Sequence, residues 1–304
     1  MSKDRGYSAM AKFVFQKEQM PHYSQVTNAC GITAVLMAIQ PNIDVQAQQL
    51  LEKIVSKARL MYGNLDGLLD PVNSRHQVSA AYLLLKCAMS AKVHEILSSY
   101  DPENYEYVQG VLEYEIRNRM AGKSEKHGKS LDKMVDAYLK KGEKWDIDKV
   151  FLYEYTTRIK TDVELKLLMA LFGYKFIRFP YSADGTGSIN VDTIEQVISS
   201  NVIKDDQLNS YDEIFEFMIT FLEVHFDKCV TIINTGAHWV TGQQLILQDE
   251  KRIPELYYLD PTSTSKPIRL NDWKRSIWFY LFQPDPQLRD RMKPVIEKVV
   301  EIKF

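Results

Sequence analysis

The stretch CVTIINTGAHWVTGQQLILQDEKRIPELYYLDP, from Cys229 to Pro261, carries the reading of the fold. Its β-branched and aromatic runs are broken by Asn234-Thr235-Gly236-Ala237 and again by the polar Gln248-Asp249-Glu250-Lys251-Arg252, which predicts antiparallel strands over 229–234, 238–247 and 256–259. Opposed residues of an antiparallel hairpin share a constant sum of positions. A turn centred near Asp249 sets that sum at 498, and 238 + 260 = 498, so His238 and Asp260 are expected as cross-strand partners on one face. Adjacent strand residues point to opposite faces, so Trp239 is expected to turn away from His238, into packing or a cleft wall. Pro261 stops the strand and leaves the Asp260 carboxylate beside a loop, where reactive groups gather. Taken singly, His238 reads as a hairpin histidine and Asp260 as a turn residue. Their shared spacing is what those readings leave unexplained.

Outward from this stretch, residues 174–181 alternate like a strand, 191–199 and 211–226 read as helices, and 277–282 as a further strand. Before Gly173 the pattern is helical. Asp44 caps a helix that Gly63 stops, and helices are expected over 77–98, 103–121, 131–141 and 161–172, the last opened by the capping box Thr161-Asp162-Val163-Glu164. Residues 121–129 are a polar loop, and the first twenty residues read as an arm packing on the body. Helices in the first half and an antiparallel sheet in the second make the class α+β. The chain is expected to be one catalytic domain, with 60–172 a helical insertion or subdomain and 173–304 a β-rich lobe.

Asn28 is placed to cap a helix over 29–39 that is apolar on nearly every face, hence buried, and that Pro41 ends. Cys30 stands at its start, where unpaired backbone N–H groups and the helix dipole favour a thiolate. Gly31 leaves room for a substrate backbone to approach. Gln25, in a non-helical stretch five residues earlier, brings an amide that with the Cys30 N–H would form an oxyanion hole. His22 is kept as a further wall candidate. A cysteine in an apolar helix is by itself more often core. The distant His238 and Asp260 are what raise Cys30 above that.

Lysine and arginine (38) nearly balance aspartate and glutamate (40), so no basic field draws nucleic acid or anionic lipid. The 45% hydrophobic content suits a large folded core. Three cysteines at wide spacing, Cys30, Cys87 and Cys229, give neither a disulfide framework nor a zinc pattern, and the latter two read as core. The absence of HExxH, P-loop, GxGxxG and GxSxG patterns leaves metals and nucleotide cofactors without a binding motif. A polar start with no apolar h-region predicts no Sec-type signal and no membrane span, so a cytoplasmic location is expected, or export as an effector by a specialised route.

Together, Gln25-Val26-Thr27-Asn28-Ala29-Cys30-Gly31, Ala237-His238-Trp239-Val240 and Tyr257-Tyr258-Leu259-Asp260-Pro261 resemble the papain-like cysteine peptidase superfamily. The nearest types are the bacteriocin-processing peptidases, with their Q…CG, HW and LDP signatures, and the actin maturation proteases. Asn28-Ala29-Cys30-Gly31 is also similar to the nucleophile stretch of ubiquitin C-terminal hydrolases. The resemblance implies a papain-like fold, with Cys30 on the nucleophile helix, His238 and Asp260 on the sheet, and Gln25 in the oxyanion hole. Gln25 and Cys30 are five apart, one fewer than in many relatives, and the helical block from about 60 to 172 matches nothing in that family. The implied activity is hydrolysis of a peptide or isopeptide bond in a protein or peptide substrate, without a cofactor. Transfer of the acyl group to an amine, deamidation, and a non-catalytic interaction module are the alternatives.

Overall fold

Every face of the helix Cys30–Ile39 (α1) is buried, which follows from its lack of any polar stripe. It lies on an antiparallel sheet that has seven strands among the described residues. In the computed structural model the described residues are 12–16, 20–23, 30–39, 88, 91–105, 114, 159, 161–180, 187–189, 211–236, 238–248, 251–263, 266–270 and 277–301. The strands are β1 (Lys12–Gln16), β2 (Tyr174–Ile177), β3 (Val230–Asn234), β4 (Trp239–Gln248), β5 (Lys251–Leu259), β6 (Ile268–Arg269) and β7 (Trp278–Pro284). The order is β2-β7-β3-β4-β5-β6, with β1 paired to β4. β3 takes residues 239–242 of β4 and β1 takes residues 244–248, so the two share one edge of that strand while β5 holds the other. The N-terminal arm is therefore a sheet strand along Lys12–Gln16. The class is α+β.

Alternation along the strands divides the core in two. Val230, Ile232, Trp239, Tyr280 and Phe282 face α1 and the helices Ala91–Tyr100 (α2) and Asp162–Leu171 (α4). A short helix, Pro102–Tyr105 (α3), follows α2. On the other face Ile233, Val240, Phe279 and Leu281 meet Met218, Leu222 and Phe226 of the helix Tyr211–Phe226 (α5). Since α2 and α4 share the core cluster of α1 and the sheet, these parts of the block expected as an insertion belong to the central packing. The helices expected over 44–62, 131–141 and 191–199, and the loop over 121–129, lie outside the described residues.

The cap of α4 forms as its sequence predicts, Thr161 accepting from the Glu164 N–H at 3.3 Å. The helix ends on Gly173, whose φ of +78° only glycine adopts readily. A Cβ there would lie 2.3 Å from Cβ of Arg289, on a helix Pro286–Glu301 (α6). Gly173→Ala is therefore expected to lower stability by about 2 kcal/mol or more, strain and overlap adding, read as a fall in the urea or thermal midpoint. Helix α6 was not anticipated, although Asp285-Pro286 announces it. Asp285 Oδ1 accepts from Leu288 N–H at 3.0 Å and Pro286 fills the first turn. Pro294 inside the helix hid its 3.6-residue period.

The register between β4 and β5 corrects the hairpin arithmetic. Gln248 pairs with Lys251, a sum of 499, and irregularities follow at Ile246/Gln248 and at Gly242/Gln244. Beyond them Thr241 pairs with Leu259 and Gly242 with Tyr258, a sum of 500. Continued outward, that register sets Val240 opposite Asp260 and Thr262 opposite His238. The expected partners are thus diagonal neighbours, two positions out of step. The extra residue at Gln243 also explains why Val240 and Leu245, of opposite parity, pack in one cluster.

Candidate active site

Both halves of the His238–Asp260 pair lie just outside the regular ladder, which is how they meet despite the offset. His238 stands immediately before β4 in a tight connection from β3, where Thr235 donates its N–H (2.8 Å) and hydroxyl (3.1 Å) to the His238 carbonyl. Gly236, with φ +93°, and the Asn234 Oδ1 acceptance of its N–H at 2.8 Å make the turn possible. Asp260 stands immediately after β5. His238 Nε2 donates to Asp260 Oδ1 at 2.7 Å. A carboxylate only accepts, so Nε2 carries the proton and Nδ1 is left for Cys30.

Cys30 begins α1, whose middle is held to the strand that follows His238: Thr241 Oγ1 donates to the Ala34 carbonyl at 2.7 Å in the interior. The thiol is hydrogen-bonded to the His238 ring and receives the backbone N–H groups of Trp239 and Gly31. Burial pushes it up, but the His238 hydrogen bond, the Trp239 N–H, the imidazolium charge and the Gly31 N–H together hold it below its ordinary 9.0. For His238 the hydrogen bond to Cys30 is the largest influence, burial opposes it, and the Asp260 carboxylate adds to it. The imidazole is pushed up from 6.5 to about 9. Asp260 is raised by burial, yet the Thr262 N–H, the His238 ring and the Thr262 hydroxyl hold it below 3.8. The three shifts agree in sign with a thiolate–imidazolium pair braced by a carboxylate.

Of the other residues singled out from sequence, Gly31 is placed differently from expectation, and Trp239 takes the packing position rather than that of a cleft wall. The space beside Gly31 is filled by the chain itself, since a Cβ there would lie 2.8 Å from Ile159 Cβ. Trp239 is 5% exposed, its indole donates to the Ile159 carbonyl at 3.1 Å, and its ring lies 5.6 Å from that of Tyr280. Both are interior contacts of Ile159 rather than cleft walls. His22 is half-buried at the site, where its Nε2 donates to the Asp260 main-chain carbonyl at 2.9 Å. Gln25 lies outside the described residues. Cys229 is buried in the α5-side core.

Thr262 is the site residue that sequence inspection passed over. Asp260 Oδ1 accepts its N–H and its hydroxyl, each at 2.7 Å. An aspartate followed two residues later by a hydroxyl residue, with proline between, is the signal for such a turn.

Among the described residues no cluster of three or more His, Cys, Asp and Glu side chains is placed to hold a metal ion, and no helix is long and apolar enough to cross a membrane. No family model, curated protein or solved structure matches this chain.

Proposed function

We propose that this chain is a papain-like cysteine peptidase that cleaves a peptide or isopeptide bond through Cys30, His238 and Asp260. The supporting observation is the hydrogen-bonded series from the thiol through the imidazole to the carboxylate, with the thiol shifted down and the imidazole up. Such a pair holds the nucleophile ionised before substrate arrives. In the proposed sequence Cys30 Sγ bonds to the carbonyl carbon and the electron pair moves onto its oxygen. The Cys30 N–H is one donor to that oxyanion and the Gln25 amide the second this proposal assigns. Collapse breaks the C–N bond as His238 gives its proton to the leaving amine, leaving a thioester. Water then attacks, losing its proton to His238, and the thiolate departs from the released acid.

Mass spectrometry of new protein N-termini in cells expressing the wild type or Cys30→Ala tests this. Termini present only with the wild type are the expected result. A cross-linked or deamidated product without cleavage would move the chain to acyl transfer. Asp260→Asn keeps an oxygen acceptor for Nε2 but loses the charge, so a loss of roughly ten- to a hundredfold in kcat is expected, smaller than for His238→Ala.

The 8% exposure of Cys30 favours a second reading, an interaction module with a buried thiol. Iodoacetamide that labels Cys30 no faster than Cys229 near neutral pH would support it.

A further inference from the structure

Asp260 Oδ1 is met by three donors at 2.7 Å: His238 Nε2, the Thr262 N–H and the Thr262 hydroxyl. Among the described residues none bonds Oδ2. A carboxylate rotates about its Cβ–Cγ bond, and rotation away from His238 would cost the imidazole its acceptor. The N–H alone leaves one local restraint. The hydroxyl adds a second from another direction, converging on the atom that faces the ring. The main chain beneath is also held, since the Asp260 carbonyl accepts from His22 Nε2 at 2.9 Å and from the Ser263 N–H at 3.1 Å. With the backbone fixed, the carboxylate rotation is the freedom that remains, and it is the one the hydroxyl removes.

We propose that Thr262 is a positioning residue of this site, its hydroxyl holding Asp260 Oδ1 toward His238 and so sustaining the Cys30–His238 pair. This rests on the peptidase reading only for its consequence in turnover; the pairing itself is measurable without a substrate. Thr262 touches neither thiol nor imidazole in this role, so its effect passes through Asp260. The side chain is exposed, and Thr262→Val keeps its shape while removing the hydroxyl. Thr262→Ser keeps the hydroxyl and removes the methyl.

The test is the pH dependence of iodoacetamide alkylation at Cys30, followed by peptide mapping, in the full chain as wild type, Thr262→Val and Thr262→Ser. The expected result for Thr262→Val is a rate about threefold lower near pH 6, a smaller loss than that of His238→Ala, with the acid limb moved toward that of an ordinary thiol, the scale of one net hydrogen bond. Thr262→Ser is expected to follow the wild type. Unfolding midpoints of all three are compared so that a general loosening is recognised. A wild type lacking the low-pH reactivity overturns both this inference and the peptidase reading. A wild type showing it, with Thr262→Val unchanged or Thr262→Ser as impaired as Thr262→Val, overturns this inference alone.

Discussion

Cys30→Ala is expected to lower turnover by about ten-thousandfold or more, because every step after substrate binding runs through its sulfur. Among the described residues the one other thiol, Cys229, is buried on the opposite face of the sheet. The substitution removes one atom from a residue already 8% exposed, in a helix whose remaining contacts with β3 and β4 are untouched. Circular dichroism and the unfolding midpoint should stay near the wild type. Release of new N-termini, assayed on a substrate identified in cells, is the measurement. Cleavage retained in the variant would sink the mechanism.

The second large effect belongs to His238→Ala, and its signature is in pH. Cys30 sits below its ordinary 9.0 and His238 above its ordinary 6.5, at about 9, so the ion pair fills the interval between the lowered thiol value and about 9. Below that interval the thiolate is protonated. Above it the imidazolium loses the proton that the leaving amine needs, so turnover is expected to fall as pH rises through about 9. Without His238 the thiol loses its main lowering influences and keeps the burial that raises it. An ordinary thiol is about 1% ionised near pH 6.5, and a thiol held below its ordinary value is ionised to a larger fraction. The weaker intrinsic nucleophilicity of a low-pKa thiolate offsets part of this, leaving about tenfold or less in alkylation rate. Turnover should fall much further, since acid and base catalysis are lost together. An alkylation profile of Cys30 that is the same with and without His238 would exclude the pair.

The long elements were legible because each carries its own period. Residues 211–226 fold as the helix the sequence predicts, and Thr161 caps α4 through the Glu164 N–H, both being properties of contiguous residues. Strand ends were less well read. The strand expected over 174–181 stops at Ile177, and Phe179 N–H turns instead to the Gly187 carbonyl at 2.9 Å, a contact outside the local pattern. Helix α6 was obscured by an internal proline that tertiary contacts tolerate, Met292, Val295 and Ile296 being buried on either side of it.

The site divides in the same way. The sequence by itself determined the residue types and their order: a cysteine opening a buried helix, and a histidine and an aspartate at the adjoining ends of two paired strands. It could not determine register, because bulges near Gln243 and near Pro254 add residues without a compositional mark that periodicity detects. Nor could it show that Ile159 fills the space beside Gly31 and takes the Trp239 indole, or that His22 crosses 238 positions to the Asp260 carbonyl. Those are contacts between segments remote in the chain. Only packing decides them, since each depends on where the sheet has already brought its partners.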